Sequence, residues 1–140
     1  MRLSLAAPNV RRMTPIHWQR LENAVIAAGV IVATVTLDYA WWWLIALFLV
    51  FDLSALGYVA STRAGAFFYN AVHSYWAPAI LGTIALVADV RWAGLVALAW
   101  AFHVAVDRAI GYGLKHADHF GHTHLGWIGK HREQQVEEVP

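Results

Sequence analysis

Asp52, Asn70, His73, Ser74, His103, Asp107 and Arg108 are polar or ionisable residues set in long apolar stretches. A charged group at the centre of a bilayer costs about 2.5–3.5 kcal/mol on insertion scales, so such residues need partners inside the protein. Spacing brings several of them onto common faces. Asn70, His73 and Ser74 are related by three and four residues, and His103 and Asp107 by four, one helical turn. Pro78 cannot donate to the carbonyl of Ser74, which predicts a free acceptor beside His73 and a kink in that helix. Asp52 and Ser54 point to nearly opposite sides of theirs, and the cost of exposing a carboxylate turns Asp52 inward. Two histidines and two carboxylates make a ligand set for zinc or a similar divalent metal, with His73, His103 and Asp107 as the candidate ligands. They also make an acid/base group for water activation, with Asp52 and Asp107 as the carboxylates. Three readings stay open on spacing alone. One is metal-dependent hydrolysis, and one is passage of a small solute or proton. The third is a structural network that only fixes helix register, in which Asp52 or Asp107 neutralises Arg108.

The elements that must hold these groups follow from composition. Hydrophobic residues make up 59% of the 140 residues and charged residues 14%. Soluble domains average about 45–50% and about 25%. A chain this small cannot bury so much apolar surface within itself in water. The expected fold is therefore all-α, an integral membrane bundle of four transmembrane helices in antiparallel hairpins. A span needs about 20 mostly apolar residues. Four windows meet that length, at about 16–37, 39–60, 64–88 and 92–114, and together they form a transmembrane domain over 16–115. Trp18, Trp41, Trp42, Trp43 and Trp92 fall near span ends, where amphipathic rings prefer the headgroup zone. The linkers are short enough to force hairpins. Gly57, Ala60, Gly65 and Ala66 flank the second one and allow close backbone approach.

Arg2, Arg11, Arg12 and Arg20 precede the first apolar core, Arg63 lies in the second loop, and Lys115, Lys130 and Arg132 follow the last span. The positive-inside rule then places both termini (tails 1–15 and 116–140) in the cytoplasm of a multi-pass cell-membrane protein. Met1–Pro15 is not expected to be a secretory signal, because its apolar run Leu3–Ala7 is shorter than the roughly 7–15 residues required. The net charge of +1 shows no basic stripe, so no nucleic-acid partner is expected. The expected partner is the lipid bilayer, and a homo-oligomer is allowed. The absence of cysteine excludes disulfides and thiolate metal sites. The tail carries His116, Asp118, His119, His122 and His124. Histidine-rich tracts bind metal adventitiously, and of these residues only His124, in Thr123-His124-Leu125-Gly126, stands out.

The wording of the motifs adds a resemblance. Phe51-Asp52-Leu53-Ser54-Ala55-Leu56-Gly57-Tyr58 is the first. Tyr69-Asn70-Ala71-Val72-His73-Ser74-Tyr75, followed by Pro78, is the second. The third runs from His103-Val104-Ala105-Val106-Asp107-Arg108 through Gly111-Tyr112-Gly113-Leu114-Lys115. Phe120 and Thr123-His124-Leu125-Gly126 close the set. In this order they resemble the small bacterial membrane family called domain of unknown function 4260, over roughly Arg20 to Gly129. The resemblance implies a four-span membrane protein and no particular activity. It falls on Asp52, Asn70, His73, His103, Asp107, Arg108 and His124, and it favours a site over a purely structural network.

Overall fold

In a computed structural model, residues 13–129 of the chain are described. The arginines and lysines expected to orient the termini at positions 2, 11, 12, 130 and 132 lie outside them. Helix α1 (Pro15–Thr36) starts at Thr14, whose side chain accepts from the amide of His17, with Pro15 in the first helical position. Both arrangements suit an N-terminus, where backbone donors lack intrahelical partners and proline loses nothing. Thr34 and Thr36 return their hydroxyls to the carbonyls of Val30 and Val32, which satisfies them within an apolar helix. Helix α6 (Arg91–Ile110) ends at Gly111 with φ 105°, a left-handed position that glycine takes without steric cost.

α1 and α6 pack antiparallel along their lengths, tied at both ends. At one end Arg20 donates from Nε to the carbonyl of Ala109 (2.9 Å) and from Nη2 to that of Ile110 (3.3 Å). A cation thus meets the carbonyl-rich end of α6, where its charge is favourable. At the other end Arg91 donates to the carbonyls of Leu37 and Asp38, and the Tyr39 hydroxyl donates to that of Arg91. Helix α5 (Trp76–Val87) packs on α6 through buried Ala85, Ala93 and Ala97, small residues that let two helices approach closely.

The middle of the chain departs from the expected continuous spans. Between 39 and 60 there is no single helix. The segment is built from α2 (Trp43–Ala46), α3 (Phe48–Asp52) and a 3₁₀ helix (Leu53–Val59). The stretch expected at 64–88 is two helices, α4 (Thr62–Val72) and α5, separated by residues 73–75. Here the physical reason is visible. The carbonyl of Tyr69 faces the Nδ1 of His73, and that of Asn70 takes the Ser74 hydroxyl, so side chains occupy the last turn of α4. Pro78 then lies in the first turn of α5, where its missing N–H is tolerated. α4 packs on the 3₁₀ helix at close range. A Cβ on Gly57 would come within 3.1 Å of the carbonyl oxygen of Ala64, and one on Gly65 would collide with the ring of Tyr58.

After α6 the chain does not leave the bundle as a loose tail. Strands β1 (His122–Thr123) and β2 (Gly126–Trp127) form a small antiparallel hairpin, and Lys115 bridges to Thr123. Asn70 clamps this segment from α4. Its amide donates to the carbonyl of Lys115 (2.9 Å), and its oxygen accepts from the Lys115 N–H (2.7 Å).

The structure is all-α apart from that hairpin. Among the described residues α6 alone is long and apolar enough to cross a membrane, by length and composition. The outer surface is strongly apolar, with Val59, Leu86 and Val87 each more than four-fifths exposed.

Candidate metal centre

Asp52 sits at the end of α3, His73 at the end of α4, and His103 and Asp107 one turn apart on α6. The fold brings one ligand atom from each to within 4.8 Å of the others. The two Nε2 atoms lie 2.9 Å apart. His73 Nε2 is 3.5 Å from Asp52 Oδ1 and 3.5 Å from Asp107 Oδ2. His103 Nε2 is 3.7 Å and 3.9 Å from the same two atoms. A tetrahedral ion with ligands at about 2.0–2.1 Å sets ligand separations near ~3.3 Å. The group can therefore hold a metal ion with small adjustments of its side chains.

The hydrogen bonds around the cluster fix which atoms face inward. A carbonyl only accepts, so the 2.9 Å contact between His73 Nδ1 and the carbonyl of Tyr69 puts the ring proton on Nδ1. The lone pair on Nε2 is then directed into the cluster, the orientation that metal-bound histidines take from such a partner. The Tyr69 hydroxyl donates to Asp107 Oδ2 at 3.0 Å and holds that carboxylate in place, while its ring stacks on that of His73. In His103 it is also Nε2 that faces the cluster, 2.9 Å from Nε2 of His73, while its buried Nδ1 has no hydrogen-bond partner. The cluster offers two imidazole nitrogens and two carboxylate oxygens, a donor set that suits a divalent cation. The same contacts also describe a plain network of hydrogen bonds and ion pairs.

Exposure separates the two carboxylates. The Asp107 side chain is 12% exposed and that of Asp52 is 42% exposed. His103 is fully enclosed, with the rings of Phe48 and Phe51 packed on it at 4.6 and 5.5 Å.

The remaining residues singled out by sequence have other places. Arg108 does not pair with Asp52. Its Nη2 donates to the carbonyl of His73 at 3.2 Å, and its guanidinium lies over the ring of Tyr75. The reason is helical geometry, because Arg108 follows Asp107 by one residue and points about 100° away from the cluster. Asn70 and Ser74 hold backbone, as described above, and do not enter the ligand group. His124 accepts the Leu114 N–H on its Nδ1 at 2.8 Å and lies apart from the cluster. Burial, and next the charge of Arg108, hold it below the usual histidine range. In the tail His122 pairs with Asp118 at 2.7 Å, which holds the Asp118 carboxyl low. The histidines of the tail join no metal-ligand group among the described residues.

Tyr69 and Lys115 were not singled out by sequence. Tyr69 carries a signal, since it precedes His73 by one turn and shares its face. Lys115 carries none, being one more cation at the end of an apolar run. It is 4% exposed, its Nζ finds no hydrogen-bond partner, and the rings of Phe120, Tyr69 and Tyr112 surround it at 4.2, 4.9 and 5.4 Å. Burial pushes its pKa down to about 8, with the charge of Asp107 opposing.

No curated protein and no solved structure matches the chain. The profile of one family, described as "Domain of unknown function (DUF4260)", matches residues 16–128, a range that holds all four members of the cluster and nearly all of the described structure. The chain belongs to the DUF4260 family.

Proposed function

We propose that the chain is a multi-pass membrane protein whose Asp52–His73–His103–Asp107 cluster binds a divalent metal ion, zinc or one like it, and hydrolyses a bond in a substrate reached from the cytoplasmic side. The observation that carries this reading is the convergence of the four ligand atoms from three separate segments, with His73 turned toward the common point by the carbonyl of Tyr69. His73, His103 and Asp107 are the ligands, since these three are buried and two of them are oriented by Tyr69. A bound ion would supply Lewis acidity and acidify a water. Asp52, the accessible carboxylate, would be the group placed to accept a proton there.

The membrane part of the reading is four spans with both termini cytoplasmic. Its support is the apolar outer surface and the pairing of α1 with α6 along their whole length. The passage of a small solute or proton finds less support. It needs a polar path toward both faces, whereas Phe48 and Phe51 cover His103 on one side of the cluster.

Metal analysis of the detergent-purified protein tests the proposal. The expected result is about one divalent ion per chain, lost when His73 and His103 are both replaced by glutamine. A wild-type protein that takes up no ion from zinc, manganese or nickel solutions would leave only the structural network.

A further inference from the structure

A cavity of about 240 Å³, lined by none of the four cluster residues, lies between α1, the start of α5, the end of α6 and the hairpin. Its charged wall is Arg108. The guanidinium has five N–H donors, of which Nη2 is used on the carbonyl of His73, while the buried Nε has no acceptor. His124 adds a second donor. Its Nδ1 accepts a backbone N–H, so its ring proton is on Nε2, and its lowered pKa keeps it neutral near pH 7. Facing them on the same cavity is Glu22, an exposed carboxylate with no ion-pair partner among the described residues.

An anion alone would meet Arg108 and His124 but be repelled by Glu22. A cation alone would have the opposite difficulty. A group carrying a phosphate and a free ammonium a few bonds apart satisfies both walls. The cavity is smaller than the roughly 300–1,000 Å³ of sites that enclose a whole ligand. Ile26 and Leu125 add an apolar part to its lining. A headgroup fits, with its acyl chains left outside the cavity. The cavity also lies at the level of the α6 C-terminus, where Arg20 caps the last carbonyls.

We infer that this cavity is a binding site for the phosphoethanolamine head of a membrane phospholipid, with the phosphate on Arg108 and His124 and the ammonium on Glu22. The inference rests on the membrane part of the proposed function and is independent of the metal. Its test is native mass spectrometry of the purified protein after exchange into nanodiscs with equal parts of phosphatidylethanolamine, phosphatidylglycerol and phosphatidylcholine. Wild-type protein should retain phosphatidylethanolamine over each of the others by about tenfold. Glu22→Gln, a change at an exposed position, should erase the preference over phosphatidylglycerol. Arg108→Gln should lower retention of both to background. Equal retention of the three lipids by wild type, or a preference that survives both changes, would overturn the site. Glycerophosphoethanolamine competing as well as the whole lipid would overturn the assignment to a membrane lipid. Metal content read on the same samples separates the two proposals, because a metal-free protein that still selects phosphatidylethanolamine supports this one and removes the hydrolytic one.

Discussion

The long helix α6 and the broken middle of the chain contribute to the same site in different ways. α6 is regular over 20 residues and presents His103 and Asp107 one turn apart, a spacing its own backbone fixes. Asp52 and His73 come from places where regular structure stops, at the ends of α3 and α4. There the backbone is not set by a continuing ladder, so it is held from outside. Tyr69 and Ser74 pin the turn around His73, and Asn70 ties α4 to the segment after α6. A rigid pair and an adjustable pair together can close around an ion, which two rigid helices would do only by accident of register.

Replacement of a ligand on the rigid side should have the largest effect. His103→Gln is expected to weaken metal binding by more than about 100-fold and to leave helix content unchanged, measured by competition with a chelating dye and by circular dichroism. If binding persists, α6 does not supply a ligand and the comparison fails.

Next comes the group that links the two sides. Tyr69→Phe removes the donor to Asp107 and keeps the ring stacked on His73. Loss of such a partner typically costs 10–100-fold in metal affinity, and about that loss is expected here in the same titration. An unchanged affinity would mean that α6 orients Asp107 unaided.

Lys115 joins the end of α6 to α4 through Asn70 and is buried with a pKa lowered from 10.5 to about 8. The unfolded chain therefore binds more protons than the folded one between these values, so stability should rise as pH rises through that window. The shift corresponds to at most about 3 kcal/mol. Thermal unfolding in detergent from pH 7.5 to 10.5 should show the rise in wild type and lose it in Lys115→Met. A flat wild-type profile would place Lys115 in contact with water. The smallest effect should come from Ser74→Ala, which frees the carbonyl of Asn70 at the break and is expected to cost about 1 kcal/mol of stability.

These differences also explain what could be read from sequence. The i, i+4 spacing of His103 and Asp107 needs only a helix to become geometry, and an apolar run gives that helix. The inward turn of Asp52 followed from the cost of exposing a charge. Pro78 signalled a kink beside His73, though within one continuous helix and not as the break between α4 and α5 that is found. The division of residues 43–59 into two short helices and a 3₁₀ helix was not signalled, because no proline marks it and its residues are nearly all apolar. Its function in the packing, the close approach of Gly57 to the backbone of α4, is a tertiary contact with no local signature beyond the small residue itself. Pairing of Arg108 with Asp52 or Asp107 was one of the readings left open, and spacing alone did not weigh the direction of Arg108 on α6, where it donates to the carbonyl of His73. The fold of 113–129 was hidden for a similar reason, since Asn70 holds it across 45 residues.

The central claim is that one ion sits among Asp52, His73, His103 and Asp107. X-ray absorption at the zinc edge, on protein loaded with about one equivalent, tests it most directly. The account predicts two imidazole nitrogens and one or two carboxylate oxygens at about 2.0–2.2 Å, with the imidazole signal gone in the His73→Gln, His103→Gln double variant. A shell of three or more imidazoles that persists in that variant would place the ion on the histidines of the tail and contradict the account.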